Sequence, residues 1–276
     1  MNRIGPNVGR VGVDENPVAS WYNSLPSVTK GWWTLSFLFA NMVYFGWVPP
    51  ESICWSWHHL AWKWQLWRIV TPFCFVGTWG PKGFSTLISL YMLQQYSKGL
   101  ESGAPNTGGG GNVSDYIVLV FLSMVGHIII SATVYPRYFM GESLMFTVLY
   151  IWCKLNQETS VSLWGFKMQA NIFPFALMAL HLATGSDFMA DLIGLVVGHI
   201  YYFLQGVYPN IYGKDIIHTP DFVIALCYRF KIGGGYINSA APVNNSSRGI
   251  PPPGRVRPPS GGGYDWGGGG RSLGSS

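Results

Sequence analysis

Apolar side chains gather in six stretches, at 31–47, 83–96, 116–134, 138–153, 170–184 and 188–204, separated by segments in which Pro, Gly and polar residues interrupt the pattern. A membrane-crossing helix needs roughly 20 residues to traverse a hydrocarbon slab about 30 Å thick, whereas sixteen residues of helix reach only about 24 Å. Most of the six stretches fall short of the full span. A bundle of such helices must thin the bilayer around it, bury its polar ends in protein, or sit in a thin membrane.

The segments between and beyond the apolar stretches differ in kind. Residues 1–30 are polar and punctuated by Pro6 and Pro17, without the basic cluster and apolar core of a cleaved signal peptide, so the first apolar stretch is expected to target the chain. Trp21, Tyr22, Leu25 and Val28 are spaced for a short amphipathic helix on the cytosolic face; a packed N-terminal cap explains the same spacing equally well. The stretch 47–79 holds seven of the 13 tryptophans, and because Trp prefers the headgroup level, this loop is expected to lie half-submerged. Between Lys98 and Asp115 the run Gly108 to Gly111 predicts a flexible cytosolic loop. Residues 231–276 carry 13 Gly and 6 Pro, too many to build a core, and are expected to be disordered. The expected organisation is a cytosolic segment 1–30, a six-helix membrane domain 31–210 with a Trp-rich first loop 48–82, a cytosolic juxtamembrane segment 211–230 and a tail 231–276.

Composition strengthens the membrane reading. The chain is 49% apolar, 16% aromatic and 11% charged, against about 25% charged in soluble domains. Its 17 Lys and Arg against 12 Asp and Glu speak of topology rather than nucleic-acid binding. With an internal N-terminus, only Lys63, Arg68, Lys82 and Arg137 fall outside and the other basic residues fall inside, which favours both ends in the cytosol. The sequon Asn112-Val113-Ser114 then lies on the cytosolic side and stays unmodified; glycan on Asn112 would overturn the topology. Four cysteines are scattered, Cys54 and Cys74 sharing the first loop, where they are able to pair. No closely spaced Cys/His set suggests a metal, no Gly-x-x-x-x-Gly-Lys-Ser/Thr phosphate loop is present, and no cofactor is expected.

Candidate chemistry centres on two places. Gly194 and Gly198, four apart in an apolar run, let another helix approach closely in lipid. Asp191 precedes them, and an ionisable residue there marks a lined cavity, a paired site or a helix end at the interface. The second place is Ser143, in Gly141-Glu142-Ser143-Leu144; acyl transfer by it needs a base within about 3 Å and donors for the oxyanion. The arrangement resembles intramembrane serine proteases of the rhomboid class, which use Gly-x-Ser-Gly on the fourth helix and a histidine three residues before the Gly-x-x-x-Gly of the sixth. Here Leu144 and Asp191 stand at those positions. His199 lies about 12 Å along the axis from Asp191 and does not reach the same depth, and an Asp with a reference pKa near 3.9 is a weak base. Ser143 and Asp191 therefore read as degenerate active-site positions, with no catalytic residue expected. His127, His181 and His199 read as hydrogen-bonded bundle residues, because no pair has metal-ligand spacing.

Further stretches carry a more specific likeness. Trp64-Gln65-Leu66-Trp67-Arg68 before Thr71-Pro72-Phe73, the run from Leu90 to Ser97 with Leu100-Glu101, Tyr150-Ile151-Trp152 with Asn156, and Gly194 to Phe203 with Tyr208-Pro209 together resemble the derlin family, catalytically inactive rhomboid relatives of the endoplasmic reticulum. In the tail, Trp266-x-Gly268-x-Gly270-x-x-Leu273 resembles the short motif by which derlins recruit valosin-containing protein, a cytosolic AAA+ unfoldase. The resemblance implies an all-α, six-transmembrane-helix rhomboid-like bundle in the endoplasmic-reticulum membrane. It further implies a pseudoprotease that assists retrotranslocation of misfolded clients, with an endoplasmic-reticulum ubiquitin ligase complex, membrane lipid and homo- or hetero-oligomers as partners. Trp67 and Arg68 would anchor the first loop, and Trp266, Gly268, Gly270 and Leu273 would bind the unfoldase. Two rival readings are an active intramembrane protease using Ser143 and a small-solute transporter, for which no internal repeat is found.

Overall fold

Each apolar stretch carries one long helix in the computed structural model of the chain, which describes residues 16–80, 83–163, 165–230 and 232. A short α1 (Pro17–Asn23) precedes α2 (Ser27–Tyr44). The first loop folds into α3 (Pro50–Ile53), α4 (Trp57–Lys63), a 3-10 turn (Leu66–Ile69) and α5 (Thr71–Cys74), after which come α6 (Gly83–Ser102), α7 (Val113–Thr133) and α8 (Gly141–Leu155). An antiparallel hairpin of β1 (Ser160–Leu163) and β2 (Phe166–Gln169), with Ser160 opposite Gln169, leads to α9 (Phe173–Ala183). The α10 helix (Phe188–Tyr202) widens into a π turn (Phe203–Val207) and runs on as α11 (Tyr208–Tyr212), before the separate α12 (Asp221–Arg229). Pro209 has no N–H to continue a regular ladder, which accounts for the widened turn just before it.

Among the described residues two helices are long and apolar enough to cross a membrane, α7 with 21 residues and the continuous helix Phe188–Tyr212 with 25. The others are shorter or more polar. The 11 residues of α9 reach only about 17 Å.

The bundle is built around α8, which is buried on nearly all sides from Gly141 to Cys153. It packs chiefly against α10 and α6, and also touches α7, α9 and α5. Phe146, Leu149 and Ile151 from α8 join Leu93 and Leu100 from α6, Tyr116 and Leu119 from α7 and Phe173 and Leu177 from α9 in one core. At the N-terminus, Tyr22 hydroxyl meets Thr34 Oγ1 at 2.8 Å and the Trp21 ring stands edge-on to Trp33, so α1 rests on the first turns of α2.

Ordered structure replaces the flexibility expected of Gly108 to Gly111. Gly108, Gly110 and Gly111 take positive φ values of 118°, 82° and 75°, which glycine adopts without steric cost. The backbone thereby wraps a carboxylate, that of Asp115, which accepts hydrogen bonds from Gly109 N at 2.9 Å and Gly111 N at 2.7 Å. Asn112, the sequon residue, donates its own side-chain amide to Gly109 O. Composition alone suggested a linker here, whereas the turn is held by one acid. The four cysteines are free thiols.

Candidate functional site

Gly194 and Gly198 face α8. A methyl group on Gly194 would run into the Ser143 carbonyl oxygen and come within 2.9 Å of Phe146 Cβ, and one on Gly198 would meet Tyr150 Cδ1 at 2.9 Å. Bare backbone at both positions draws α10 onto α8. Thr147 Oγ1 then donates across the contact to Gly194 O at 2.8 Å, a bond available only because the two helices lie so close.

This approach seals Ser143. The residue is fully buried, and its base-side neighbour is neither Asp191 nor His199 but His127, whose Nε2 lies 2.8 Å from Ser143 Oγ. The other ring nitrogen, Nδ1, lies 2.8 Å from Ser123 O. A carbonyl only accepts, so Nδ1 carries the proton, and in the neutral ring Nε2 is left to accept from the serine hydroxyl. A nucleophile-and-base distance is thus present, on a pair not expected from the spacing of the rhomboid class. Hydrolysis also requires substrate access and oxyanion donors, and both side chains are closed off by the bundle, His127 at 1% exposure. Replacing Ser143 with alanine is expected to lower stability by about 1–3 kcal/mol, since it leaves His127 Nε2 buried without a partner; thermal unfolding in detergent measures this.

Asp191, buried in the first turn of α10, is committed to His181 of α9 through a 2.6 Å contact between Oδ2 and Nδ1. No hydrogen bond joins it to Ser143 among the described residues. One turn earlier in the chain, Asp187 caps α10 by accepting from Ala190 N and forms an ion pair with Arg137 at 2.6 Å. Burial works to raise the Asp187 carboxyl, but the Arg137 guanidinium outweighs it and holds the group below its ordinary value. His199 pairs with the Tyr150 hydroxyl at 2.9 Å. Each of the three bundle histidines therefore has a protein partner.

The first loop is pinned by Arg68. Its Nη1 donates to Glu51 O and Cys54 O, each at 2.7 Å, and its Nε to Gln65 Oε1 at 2.6 Å, with the residue 4% exposed. Two backbone carbonyls of the loop itself thus hold the guanidinium. Trp67 beside it points outward, as do Trp47, Trp57, Trp62 and Trp64, each exposing more than half of its surface. Five exposed indoles thus stand on or beside a pinned loop. Gly141 lets this loop press on the start of α8, where a side chain would collide with Phe75 O.

Two polar clusters at the opposite end went unread in the sequence. Pro26, at the N-cap of α2, offers no capping side chain, and the free amides are met instead by Glu101 of α6. Its carboxylate accepts from Val28 N at 2.9 Å, Thr29 N at 2.7 Å and Thr29 Oγ1 at 2.8 Å. An acid at a helix N-terminus also meets the positive end of the dipole. The missing cap after Pro26 was the available signal. Asp115 is the second centre: besides the glycine amides it accepts from Thr107 Oγ1 and Thr219 Oγ1, which ties the turn and the segment before α12 to the first turn of α7. Trp266, Gly268, Gly270 and Leu273 lie outside the described residues.

Comparison with known proteins sets these features in a family. A sequence model described as the Der1-like family matches residues 25–221. The protein Derlin-1 of Arabidopsis thaliana is 33% identical over 219 residues, covering 77% of this chain and 78% of that protein. Derlin-1 of Caenorhabditis elegans is 30% identical over 202 residues, 72% of this chain and 80% of its own, and human Derlin-1 is 28% identical over 208 residues, 75% and 81% respectively.

Proposed function

The chain belongs to the Der1-like family, and from that premise we propose that it is a non-catalytic derlin of the endoplasmic-reticulum membrane. In this reading it recruits misfolded proteins and assists their passage to the cytosol for ubiquitin-dependent degradation. The observation that carries the reading is the family match across residues 25–221, nearly the whole helical part. Six membrane-crossing helices with both termini cytosolic are part of the proposal, as is a local thinning of the bilayer. Support for thinning comes from length: the 15 residues of α8 reach about 23 Å against a slab of about 30 Å. A charged side chain costs about 2.5–3.5 kcal/mol at the bilayer centre on insertion scales, so a thinner slab lowers the barrier for polar polypeptide.

Force comes from outside the chain in this proposal, through Trp266, Gly268, Gly270 and Leu273 docking on valosin-containing protein. A detergent pull-down tests it. Intact protein is expected to retain the unfoldase, and Trp266→Ala/Leu273→Ala to lose it by tenfold or more while ubiquitylated clients accumulate. Equal recovery from both would remove the recruitment role.

One observation favours a second reading, hydrolysis by Ser143 with His127 as base: the 2.8 Å bond between them. Burial of both groups weighs against it. Labelling of the purified protein by a fluorophosphonate, abolished in Ser143→Ala, would establish the hydrolase and end the non-catalytic assignment.

A further inference from the structure

Where the π turn, the glycine turn and the segment before α12 meet, they enclose a cavity of about 20 Å³. Gln205 and Pro209 line it from the helix end, Asn106 and Thr107 from the turn, and Asp215 and His218 from the segment. The segment lies directly on the turn, since a methyl group on Gly108 would come within 2.6 Å of the His218 ring. Gln205, in the middle of the π turn, is 7% exposed, and its side-chain amide makes no hydrogen bond among the described residues. Buried amides are ordinarily paired, and one that is not calls for an explanation such as a bound water or ion. Nor is this amide sealed in carbon, as the hydroxyls of Ser36, Ser123 and Tyr201 are. It belongs to the wall of a cavity that four other polar side chains share.

Size and hydrogen-bonding character together identify the occupant. One water needs a cavity of about 10–15 Å³, whereas organic ligands take sites of about 300 Å³ or more. The walls offer both kinds of partner. The Asp215 carboxylate only accepts, and the Gln205 amide both accepts and donates. Asn106 Oδ1 is already taken by Gly108 N at 2.9 Å and Gly110 N at 3.1 Å, so its NH2 is the group left to donate. A divalent cation seeks about six oxygen ligands, and here it would meet amide NH2 groups and a single carboxylate. Water donates and accepts at once, and it serves a mixed set of this kind. We propose that the cavity binds one structural water molecule, which satisfies the Gln205 amide and bridges it to Asn106 and Asp215. The end of the sixth long helix is thereby joined to the glycine turn and to the chain leading into α12. This tie is separate from the one that Asp115 makes to Thr219.

Crystals of the full chain grown from a lipid mesophase, at a resolution that shows ordered water, test the site directly. One peak is expected about 2.7–3.2 Å from the Gln205 amide. The same peak should be missing in Gln205→Met, which keeps the length of the side chain and removes both amide partners. In nanodiscs, trypsin reads the bridge through the exposed Lys214, with the exposed Lys167 of the β hairpin as internal control. Gln205→Met is expected to be cut after Lys214 about threefold to tenfold faster than the parent, and after Lys167 at the parental rate. The parent crystal decides even where the variant does not fold. The assignment would be overturned by a Gln205 amide bonded directly to Asn106 or Asp215, or by the lack of any peak. A peak that strengthens with added calcium or potassium and sits about 2.4 Å from its oxygens would make the occupant a cation and overturn it too. Unchanged cleavage after Lys214 in the variant, or equal acceleration at both lysines, would show that no bridge holds the segment.

Discussion

Gly194→Leu is expected to destroy the bundle. The added Cβ alone collides with the Ser143 carbonyl oxygen and presses on Phe146 Cβ at 2.9 Å, and neither is the flexible end of a side chain. Overpacking a tight core typically costs about 1–3 kcal/mol, and that range suits Gly194→Ala, whose single methyl forces α10 outward. Leucine adds three further carbons at the same contact, against a total stability of about 5–15 kcal/mol for a typical protein. The contact also carries the Thr147 bond to Gly194 O and the seal over Ser143, so both fail together. The expected result is loss of the monodisperse gel-filtration peak in detergent for Gly194→Leu and a lowered melting temperature for Gly194→Ala. Gly31→Ala is the control: nothing lies within 4 Å of its added methyl, and alanine in a helix is favoured over glycine by about 1 kcal/mol, so it should melt no lower than the parent. A Gly194→Leu protein that eluted and melted like the parent would show that α8 and α10 do not need bare backbone to meet.

Patterns set by burial were readable, and pairings across the chain were not. The six apolar stretches mark the six long helices because a run of carbon side chains has few places to go other than a core or lipid. Gly194 and Gly198 were readable for the same reason, since two missing side chains on one face leave a shape. The partner of Ser143 was not legible, because the spacing of the rhomboid class points to position 191, whereas His127, one helix earlier, carries no local mark. His181 and Asp191 are likewise ten residues apart on two helices, and only folding brings them to 2.6 Å. The hairpin at 160–169 and the capping of α2 by Glu101, 72 and 73 residues away, are equally nonlocal. The glycine run misled in the opposite direction. Four glycines raise the entropy of the unfolded turn, but a buried acid that accepts from two of their amides orders it.

Asp115→Ala is therefore expected to have the second largest effect, and a local one. The carboxylate is fully buried and accepts from Gly109 N, Gly111 N, Thr107 Oγ1 and Thr219 Oγ1. Its removal leaves two amides and two hydroxyls facing a void, although the threonine hydroxyls, 2.7 Å apart, are then free to bond to each other. Each buried donor stranded in this way costs about 1–3 kcal/mol, so the loss amounts to several kcal/mol. Asp115→Asn should recover little, because its amide NH2 would face groups that are themselves donors. The loss falls on whatever the acid ties down: the turn 106–111, the segment 213–220 and, through Thr219, the seat of α12 on α7. Limited proteolysis should open 106–111 and 213–220 while the α8 to α10 core stays protected. In a double-mutant cycle Asp115→Ala with Thr219→Val should cost less than the sum of the two, since valine removes one of the stranded donors. Strict additivity, or cleavage spread evenly along the chain, would mean that the acid serves general stability and that α12 is held by apolar contact alone.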